Sequence, residues 1–189
     1  MRLNPENTFH PLRRRDWRAW LRKNYKTAPE VWVVFFKKHT GKQRVSYNDA
    51  VEEALCFGWI DSTVKTVDDQ RFAQRFSPRN PKTPYSQSNQ ERLKALIEHG
   101  QVAKDILATL NGKIDGKFSV PPDILKAIKK DAGAWRNFRK LPKSYIRIRV
   151  AFIDGARRRP AEFQKRLNYF IRMTAKNKQF GFGGIEKYY

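Results

Sequence analysis

The spacing of apolar residues predicts a helix near the N-terminus and a buried strand after it. Trp17, Trp20, Leu21 and Asn24 recur at helical spacing within residues 11–26, and the arginines at 13, 14, 18 and 22 lie at other positions. This arrangement is typical of an amphipathic helix with a basic face. The run Val31–Phe36 contains only β-branched and aromatic residues, which indicates a buried strand.

A second helix and a hairpin follow. Ser46 lies three residues before Asp49, the spacing of a capping box, and this predicts a helix over residues 47–57. Residues 59–67 and 70–77 flank two aspartates, a pattern that indicates a β-hairpin. Together with the earlier strand, the hairpin predicts a small three-stranded antiparallel sheet.

The segment after the hairpin predicts an irregular loop and then two helices. Three prolines fall within residues 78–85, and proline removes a backbone donor from regular structure. The two helices are expected to end near Glu98 and Leu110. Residues 111–116 contain two glycines and show no periodic pattern, so they form the predicted domain boundary.

The rest of the chain is predicted to be helical. Helical patterns cover residues 121–130, 134–141, 142–156 and the stretch after Pro160. Alternation at 146–150 also fits a strand, but the longer helical match favours a helix. The predicted fold class is therefore α+β. Residues 1–111 form an α+β domain with the small antiparallel sheet, and residues 112–189 form a basic all-helical module. The glycine-rich end, from residue 180, is expected to be loose unless its aromatic side chains are docked.

The composition describes a strongly basic chain that can still fold. The 189 residues include 40 Lys or Arg against 18 Asp or Glu, a net charge of +22, yet 40% are hydrophobic and 13% aromatic. Disordered chains lack such a supply of aromatic residues. The net charge is +14 over residues 112–189 and +8 over residues 1–111, so the C-terminal half carries the denser positive charge.

The sequence also indicates a cellular compartment. The longest apolar runs are far shorter than the roughly 20 residues that span a bilayer, so no membrane span is expected. No apolar segment follows the charged N-terminus, as it would in a secretory signal peptide. The single cysteine, Cys56, cannot form an internal disulfide. These observations predict a cytoplasmic protein, and they leave its oligomeric state open.

The C-terminal charge raises the hypothesis of a nucleic-acid or anion contact. A field of this density attracts polyanions and speeds their encounter. The candidate residues are Arg147, Arg157, Arg158, Arg159, Lys165 and Arg172. The alternative is a solubilising surface without a specific partner, and no known base-reading motif accompanies the charge.

A second candidate site combines aromatic residues, arginines and the proline-rich loop. Such a group can hold an anionic or planar ligand by stacking and charge-assisted hydrogen bonds. The candidate ligand-binding residues are Trp59, Asp61, Arg71, Arg75, Arg79 and Tyr85. The alternative is a packed hairpin whose alternate arginines face water.

Evidence for enzymatic chemistry is weak. Cys56 or Asp61 could serve as a nucleophile or a general base, but Cys56 shares a helical face with carboxylates that disfavour a thiolate. The three histidines are isolated, so no metal site is expected, and no glycine-rich phosphate loop occurs. We therefore expect no catalytic residues and no cofactor.

Several of these segments together resemble a known family. They are VWVVFFKK from Val31, SYNDAVEEALCFGWIDS from Ser46, RFSPR from Arg75, VPPD from Val120 and WRNF from Trp135. Over nearly the whole chain, this pattern resembles the YdeI/OmpD-associated family, also called OmdA or bacteriocin-protection proteins. The resemblance implies a role in tolerance to bacteriocins or antimicrobial peptides and in envelope stress, and it supplies no catalytic residues.

The charge of the chain limits how such protection could work. Many antimicrobial peptides are cationic, and a chain of net charge +22 repels them at long range. The leading hypothesis is therefore a non-enzymatic binding protein that acts through an anionic ligand or a partner protein. The alternatives are a nucleic-acid-binding protein that uses the basic helices and an enzyme that uses Cys56 or Asp61.

Overall fold

The computed structural model describes residues 4–114, 116–181 and 186–188. They divide into two compact units. The N-terminal unit consists of Met1–Pro84 and Leu93–Ile114. The C-terminal unit consists of Tyr85–Arg92 and Asp115–Tyr189.

The N-terminal unit contains a small sheet and flanking helices. Its elements are β1 (Thr8–Phe9), α1 (Arg14–Asn24), β2 (Val31–Phe36), α2 (Tyr47–Cys56), β3 (Trp59–Thr66), β4 (Arg71–Pro78) and α4 (Lys104–Thr109). Helix α3 (Gln87–Glu98) contributes its first residues to the C-terminal unit and its last to the N-terminal unit.

The α+β class is confirmed, but the predicted three-stranded antiparallel sheet is wrong. The described residues form a mixed sheet of four strands in the order β1-β2-β4-β3. The hairpin β3–β4 and the β2–β4 pair are antiparallel, as expected. The additional strand β1 runs parallel to β2, with Thr8 opposite Trp32 and Phe9 opposite Val33. A two-residue strand is too short to show the alternation that identifies a strand in a sequence.

The core of the N-terminal unit lies between α1 and one face of the sheet. Trp17 and Leu21 are fully buried, and the ring of Trp17 meets Phe76 of β4 edge-on at 5.3 Å between centroids. The indole N–H of Trp17 donates to the carbonyl of Ala50 at 2.9 Å, which ties α1 to α2. Burial of these large rings supplies the main driving force for packing this unit.

The ends of α2 follow the sequence signals. The Ser46 hydroxyl accepts from the backbone N–H of Asp49 at 3.0 Å, so the predicted helix start is confirmed. The helix ends at Cys56, and Gly58 follows with φ +70. That left-handed conformation suits glycine and sharply turns the chain into β3.

The described residues of the C-terminal module, 116–181 and 186–188, contain helices and no strand. The helices are α5 (Pro122–Lys129), α6 (Ala132–Phe138), α7 (Lys143–Asp154) and α8 (Pro160–Ala175). The preference for a helix over a strand in α7 is confirmed. Its buried side chains, including Tyr145 and Ile153, pack in one core with Phe138, Leu167 and Phe170.

The end of the chain is partly docked. Phe180 packs against Tyr145 and Tyr169, and its backbone N–H donates to the Tyr145 hydroxyl at 3.1 Å. Residues 182–185 and 189 of the predicted loose segment lie outside the described residues. None of the helices in the described part of the chain has the length and apolar character needed to cross a membrane.

Candidate functional site

Two residues of the predicted ligand site lie on or near the core of the N-terminal unit. Trp59 is 1% exposed, and its indole N–H donates to the carbonyl of Tyr25 at 3.0 Å. Its ring meets Trp20 edge-on. Asp61 is half-buried and accepts a 2.6 Å hydrogen bond from the Tyr47 hydroxyl. The indole of Trp59 therefore presents almost no surface to a ligand.

The three arginines of this predicted site are held by separate partners. Arg71 forms an ion pair with Asp68 at 2.6 Å, and this guanidinium lowers the pKa of the Asp68 carboxyl. Arg75 forms an ion pair with Glu30, also at 2.6 Å. Arg79 donates to two backbone carbonyls of the proline-rich loop. Each positive charge is thus already engaged within the unit.

The strand register also separates these residues. Trp59 pairs with Pro78, which places it on the face of β4 that carries Phe76. Arg71 and Arg75 point to the opposite face because successive side chains alternate along a strand. Tyr85 belongs to the C-terminal unit. The structure does not bring Trp59 together with the two strand arginines.

The sequence reasoning missed a buried ionic network in the N-terminal unit. Glu52 and Glu53 are only 1% and 2% exposed. The Arg14 guanidinium binds Glu53 at 2.5 Å and both Glu52 and Asp49 at 2.9 Å, and Arg18 binds Glu53 at 2.6 Å. The available signal was the position of the two glutamates beside the apolar stripe of α2. Each buried carboxylate of the network is paired with a guanidinium, which compensates for its lost hydration. This pairing is typical of an ionic cluster that stabilises a fold.

Cys56 lies at the end of the same helix and is fully buried. Burial, followed by the nearby Glu53 carboxylate, raises the pKa of its thiol to about 11. The sulfur is therefore a protonated thiol at neutral pH, which does not support a nucleophilic role. Among the residues that the structure describes, no group of three or more His, Cys, Asp or Glu side chains is arranged to hold a metal ion.

Two of the predicted anion-contact residues are neutralised within the C-terminal unit. Arg147 binds the Glu91 carboxylate through two hydrogen bonds of 2.6 and 2.7 Å. Arg157 binds Asp123 at 2.9 Å and Asp154 at 2.5 Å. A guanidinium engaged in this way contributes less to the potential outside the protein.

The other four predicted contact residues are exposed. Within the described part of the chain, Arg158 and Arg159 make no ion pair, and they lie between α7 and α8. Lys165 and Arg172 both lie on α8, seven residues apart and therefore on the same face of the helix. These four side chains supply positive charge at the surface of the C-terminal unit.

Lys165 and Arg172 border a cleft of about 600 Å³, here called the α7–α8 cleft. Its lining includes four cationic side chains, namely Arg149, Lys165, Arg166 and Arg172. Glu162 is the single carboxylate among the lining residues that the structure describes, and Arg166 binds it at 2.7 Å and lowers its pKa. Among the lining residues that the structure describes, Lys165 and Arg172 therefore add positive charge beyond this pair.

Aromatic side chains form much of the remaining wall of the cleft. They are Phe152, Tyr169, Phe170 and Phe180. Three guanidinium groups lie over these rings: Arg166 is 3.7 Å from the centroid of Phe152, Arg149 is 5.1 Å from that of Phe180, and Arg172 is 5.2 Å from that of Tyr169. Stacking of this kind fixes the position of cations that would otherwise be free to rotate.

Of the four cations in the lining, the sequence analysis named Lys165 and Arg172 as candidates and missed Arg149 and Arg166. Arg149 is 1% exposed and lies among the buried positions of α7. Its position four residues after Tyr145 and four before Ile153 was the available signal, because it places an arginine beside the apolar face of the helix. Arg166 offered a weaker signal, since it lies next to the buried Leu167 but is exposed to an intermediate degree.

Two family models match the chain in adjacent regions. Residues 9–109 match the model described as "Domain of unknown function (DUF8412)", and residues 117–177 match the one described as "Bacteriocin-protection, YdeI or OmpD-Associated", or OmdA. No curated protein and no solved structure shows significant similarity to the chain.

The expected relationship to the YdeI/OmpD-associated family is confirmed for residues 117–177, the region that contains α7 and α8. The CFGWIDS segment lies instead in the region that matches the DUF8412 model. The DUF8412 match covers more than half of the chain. The chain therefore belongs to the DUF8412 family through residues 9–109, and it carries a YdeI/OmpD-associated (OmdA) region at residues 117–177.

Proposed function

We propose that this protein is a non-enzymatic binding protein that acts in tolerance to bacteriocins or antimicrobial peptides through a bound anionic ligand or partner. The name of the OmdA family supports the link to bacteriocin protection. The α7–α8 cleft supports the anionic ligand. We also propose a cytoplasmic location, with which the single buried thiol of Cys56 is compatible.

The observation that carries the proposal is the excess of positive charge in a partly enclosed cleft. Among the described lining residues there are four cationic side chains and one carboxylate, around a volume of about 600 Å³. Ionised donors that are held in place by stacking form short, strong hydrogen bonds to carboxylate, sulfonate or phosphate oxygens. A cleft with walls of low polarity strengthens such contacts because it excludes competing water.

The same charge makes direct capture of a cationic peptide unfavourable. A peptide rich in Lys and Arg meets a chain of net charge +22, and like charges repel over a Debye length of about 10 Å at moderate salt. An indirect route, in which the protein senses or sequesters an anion, avoids this repulsion.

The test compares two double variants that each remove two positive charges from α8 or its end. Lys165→Ala with Arg172→Ala alters the cleft, whereas Lys176→Ala with Lys178→Ala alters exposed lysines outside it. Cells that lack the protein are complemented with each variant, and survival under a cationic antimicrobial peptide is measured. In parallel, calorimetry measures pyrophosphate binding to the purified chains.

We expect the cleft variant to lose protection and pyrophosphate binding, and the control to keep both. Equal protection and equal binding by the two variants would reject the proposal. Circular dichroism and the thermal midpoint of each chain show whether any loss reflects unfolding instead.

A second candidate function, nucleic-acid binding, is favoured by the exposed Arg158 and Arg159 between α7 and α8, which form no ion pair with any residue that the structure describes. Binding through phosphate contacts weakens steeply with salt because counterions are released. An Arg158→Ala, Arg159→Ala variant should then show a shallower dependence of DNA or RNA affinity on salt. Absence of association at low ionic strength would reject this candidate.

A further inference from the structure

We propose that the ligand of the α7–α8 cleft is a small aromatic anion, with a planar apolar body and one carboxylate, sulfonate or phosphate group. This inference rests on the proposed function, because it specifies which anion the cleft accepts. It goes beyond that function in predicting that the aromatic part of the ligand adds to the affinity of the anionic group.

The walls of the cleft indicate an apolar body. Phe152, Tyr169 and Phe180 line it and are at least partly exposed. A bare inorganic anion would leave these surfaces in contact with water, whereas an apolar ligand body buries them at about 25 cal/mol per Å². A volume of about 600 Å³ lies within the range of pockets that hold drug-sized molecules, roughly 300–1,000 Å³. The cleft therefore matches a small molecule better than a bare ion.

The stacked pairs in the lining indicate that the body is planar. The Arg166 guanidinium lies 3.7 Å from the centroid of Phe152, and Arg149 and Arg172 lie near the rings of Phe180 and Tyr169. Faces of rings and guanidinium groups attract a further ring by offset stacking and cation–π contacts. A flexible acyl chain gains none of these directional contacts and loses more rotational freedom on binding.

The position of the charges indicates where the anionic group lies. Lys165 and Arg172 are exposed and separated by two turns of α8, about 10 Å along the helix axis. Tyr169 lies between them on the same face and is 39% exposed. An anion at this rim can meet either cation while its ring contacts Tyr169 and the apolar wall below.

The experiment uses the full chain and two fluorescent probes that differ in one group. The first, 8-anilinonaphthalene-1-sulfonate, is an aromatic anion, and the second, N-phenyl-1-naphthylamine, is its uncharged counterpart. Fluorescence titration gives the affinity of each probe, and calorimetry gives the stoichiometry. Pyrophosphate and dodecyl sulfate below its micelle concentration serve as competitors.

We expect one molecule of the anionic probe to bind about tenfold more tightly than the neutral probe, as one charge-assisted contact allows. Lys165→Ala with Arg172→Ala should abolish this difference. Lys176→Ala with Lys178→Ala should preserve it. Tyr169→Ala should weaken the anionic probe several-fold, and Tyr169→Phe should restore most of the affinity because the ring is kept.

The outcomes separate this inference from the proposed function. Binding of pyrophosphate that depends on Lys165 and Arg172, without binding of the aromatic probe, would overturn the inference and leave the proposed function intact. Displacement of the aromatic probe by a lower concentration of dodecyl sulfate would show that the body is an acyl chain, and would also overturn it. Failure of every anion to bind in the cleft would reject both.

Discussion

Arg14 is the cation around which the buried carboxylates of the N-terminal unit are arranged. Its side chain is 33% exposed, but the Glu52 and Glu53 side chains that it binds are only 2% and 3% exposed. A carboxylate taken out of water costs several kcal/mol unless a cation and hydrogen bonds compensate for the lost hydration. Arg14 also binds Asp49, whose second oxygen accepts from the Ser46 hydroxyl at the start of α2. The stability of α2 is thus linked to this one guanidinium.

We predict that Arg14→Ala lowers the free energy of unfolding by about 3 kcal/mol, because it leaves buried carboxylates without their main partner. Urea unfolding at neutral pH measures the change. Arg15→Ala is the matched control, since the Arg15 side chain is 74% exposed and its contact with Asp16 is 3.9 Å long. The control should cost roughly 0.5 kcal/mol or less. Similar losses in the two variants would contradict a structural role for the network.

Cys56 supplies a prediction about alkaline stability. Burial and the Glu53 carboxylate raise the pKa of its thiol from 9.0 to about 11 in the folded chain. Because the folded pKa is the higher one, the thiol contributes stability that is fully present below about pH 9 and is lost as the pH rises through 11. A shift of this size corresponds to about 2–3 kcal/mol.

The measurement compares the wild-type chain with Cys56→Ala at a series of pH values between 8 and about 11. Both chains lose stability as lysines and tyrosines titrate, but the wild type should lose the additional amount due to the thiol. A constant difference between the two stability curves would show that the thiol does not titrate with a raised pKa.

At the scale of secondary structure, Gly58 controls the passage from α2 to β3. It has φ +70, and a Cβ atom at this position would lie 2.9 Å from Cδ1 of Ile106 on α4. Gly41 provides a matched case, since its φ is +63 and nothing lies within 4 Å of the corresponding Cβ position. The pair separates the cost of backbone strain from the cost of the contact with α4.

We predict that Gly41→Ala lowers the free energy of unfolding by about 1 kcal/mol through strain alone. Gly58→Ala should cost more, because the Ile106 side chain must also move. In the background of Ile106→Val, which lacks Cδ1, the additional cost should disappear. Thermal or urea unfolding of the single and double variants measures this coupling. Equal losses of unfolding free energy at the two glycines would show that the Ile106 side chain moves aside without a measurable cost.

The elements show which features a sequence can reveal. Strand β2 is a run of β-branched and aromatic residues, the β3–β4 hairpin flanks two aspartates and helix α7 has a long helical pattern, and the structure confirms all three. Strand β1 has two residues and depends on pairing with β2, a contact that no local pattern encodes. The cleft depends on side chains from α7, α8 and Phe180. Lys165 and Arg172 were identifiable as exposed charges, whereas the burial of Arg149 follows from how the helices pack.

At the scale of the whole molecule, the net charge of +22 is divided among cations with different roles. Arg14, Arg71 and Arg147 are engaged in ion pairs with nearby carboxylates. Lys165 and Arg172 remain exposed at the rim of the cleft. Net charge alone therefore overstates the surface available to a polyanion, and the cations outside ion pairs are the better guide to ligand binding.

The division of α3 between the two units leads to a final prediction. Residues Tyr85–Arg92 cluster with the C-terminal unit, although the sequence predicts its boundary near residue 111. Within that unit, the half-buried Arg147 binds Glu91, whose side chain is 6% exposed. A fragment that starts at residue 112 lacks this carboxylate, whereas one that starts at residue 85 retains it.

We predict that the longer fragment folds with a higher thermal midpoint than the shorter one. In the full chain, Glu91→Gln should lower the stability of the C-terminal unit by about 2 kcal/mol, because Arg147 loses a charge-assisted pair of hydrogen bonds. Glu98→Gln, at the exposed end of the same helix, is the control and should change little. Circular dichroism of the fragments and urea unfolding of the full-length variants measure the two effects. If both fragments melt at the same temperature and Glu91→Gln is neutral, the first turns of α3 contribute nothing to the stability of the helical unit.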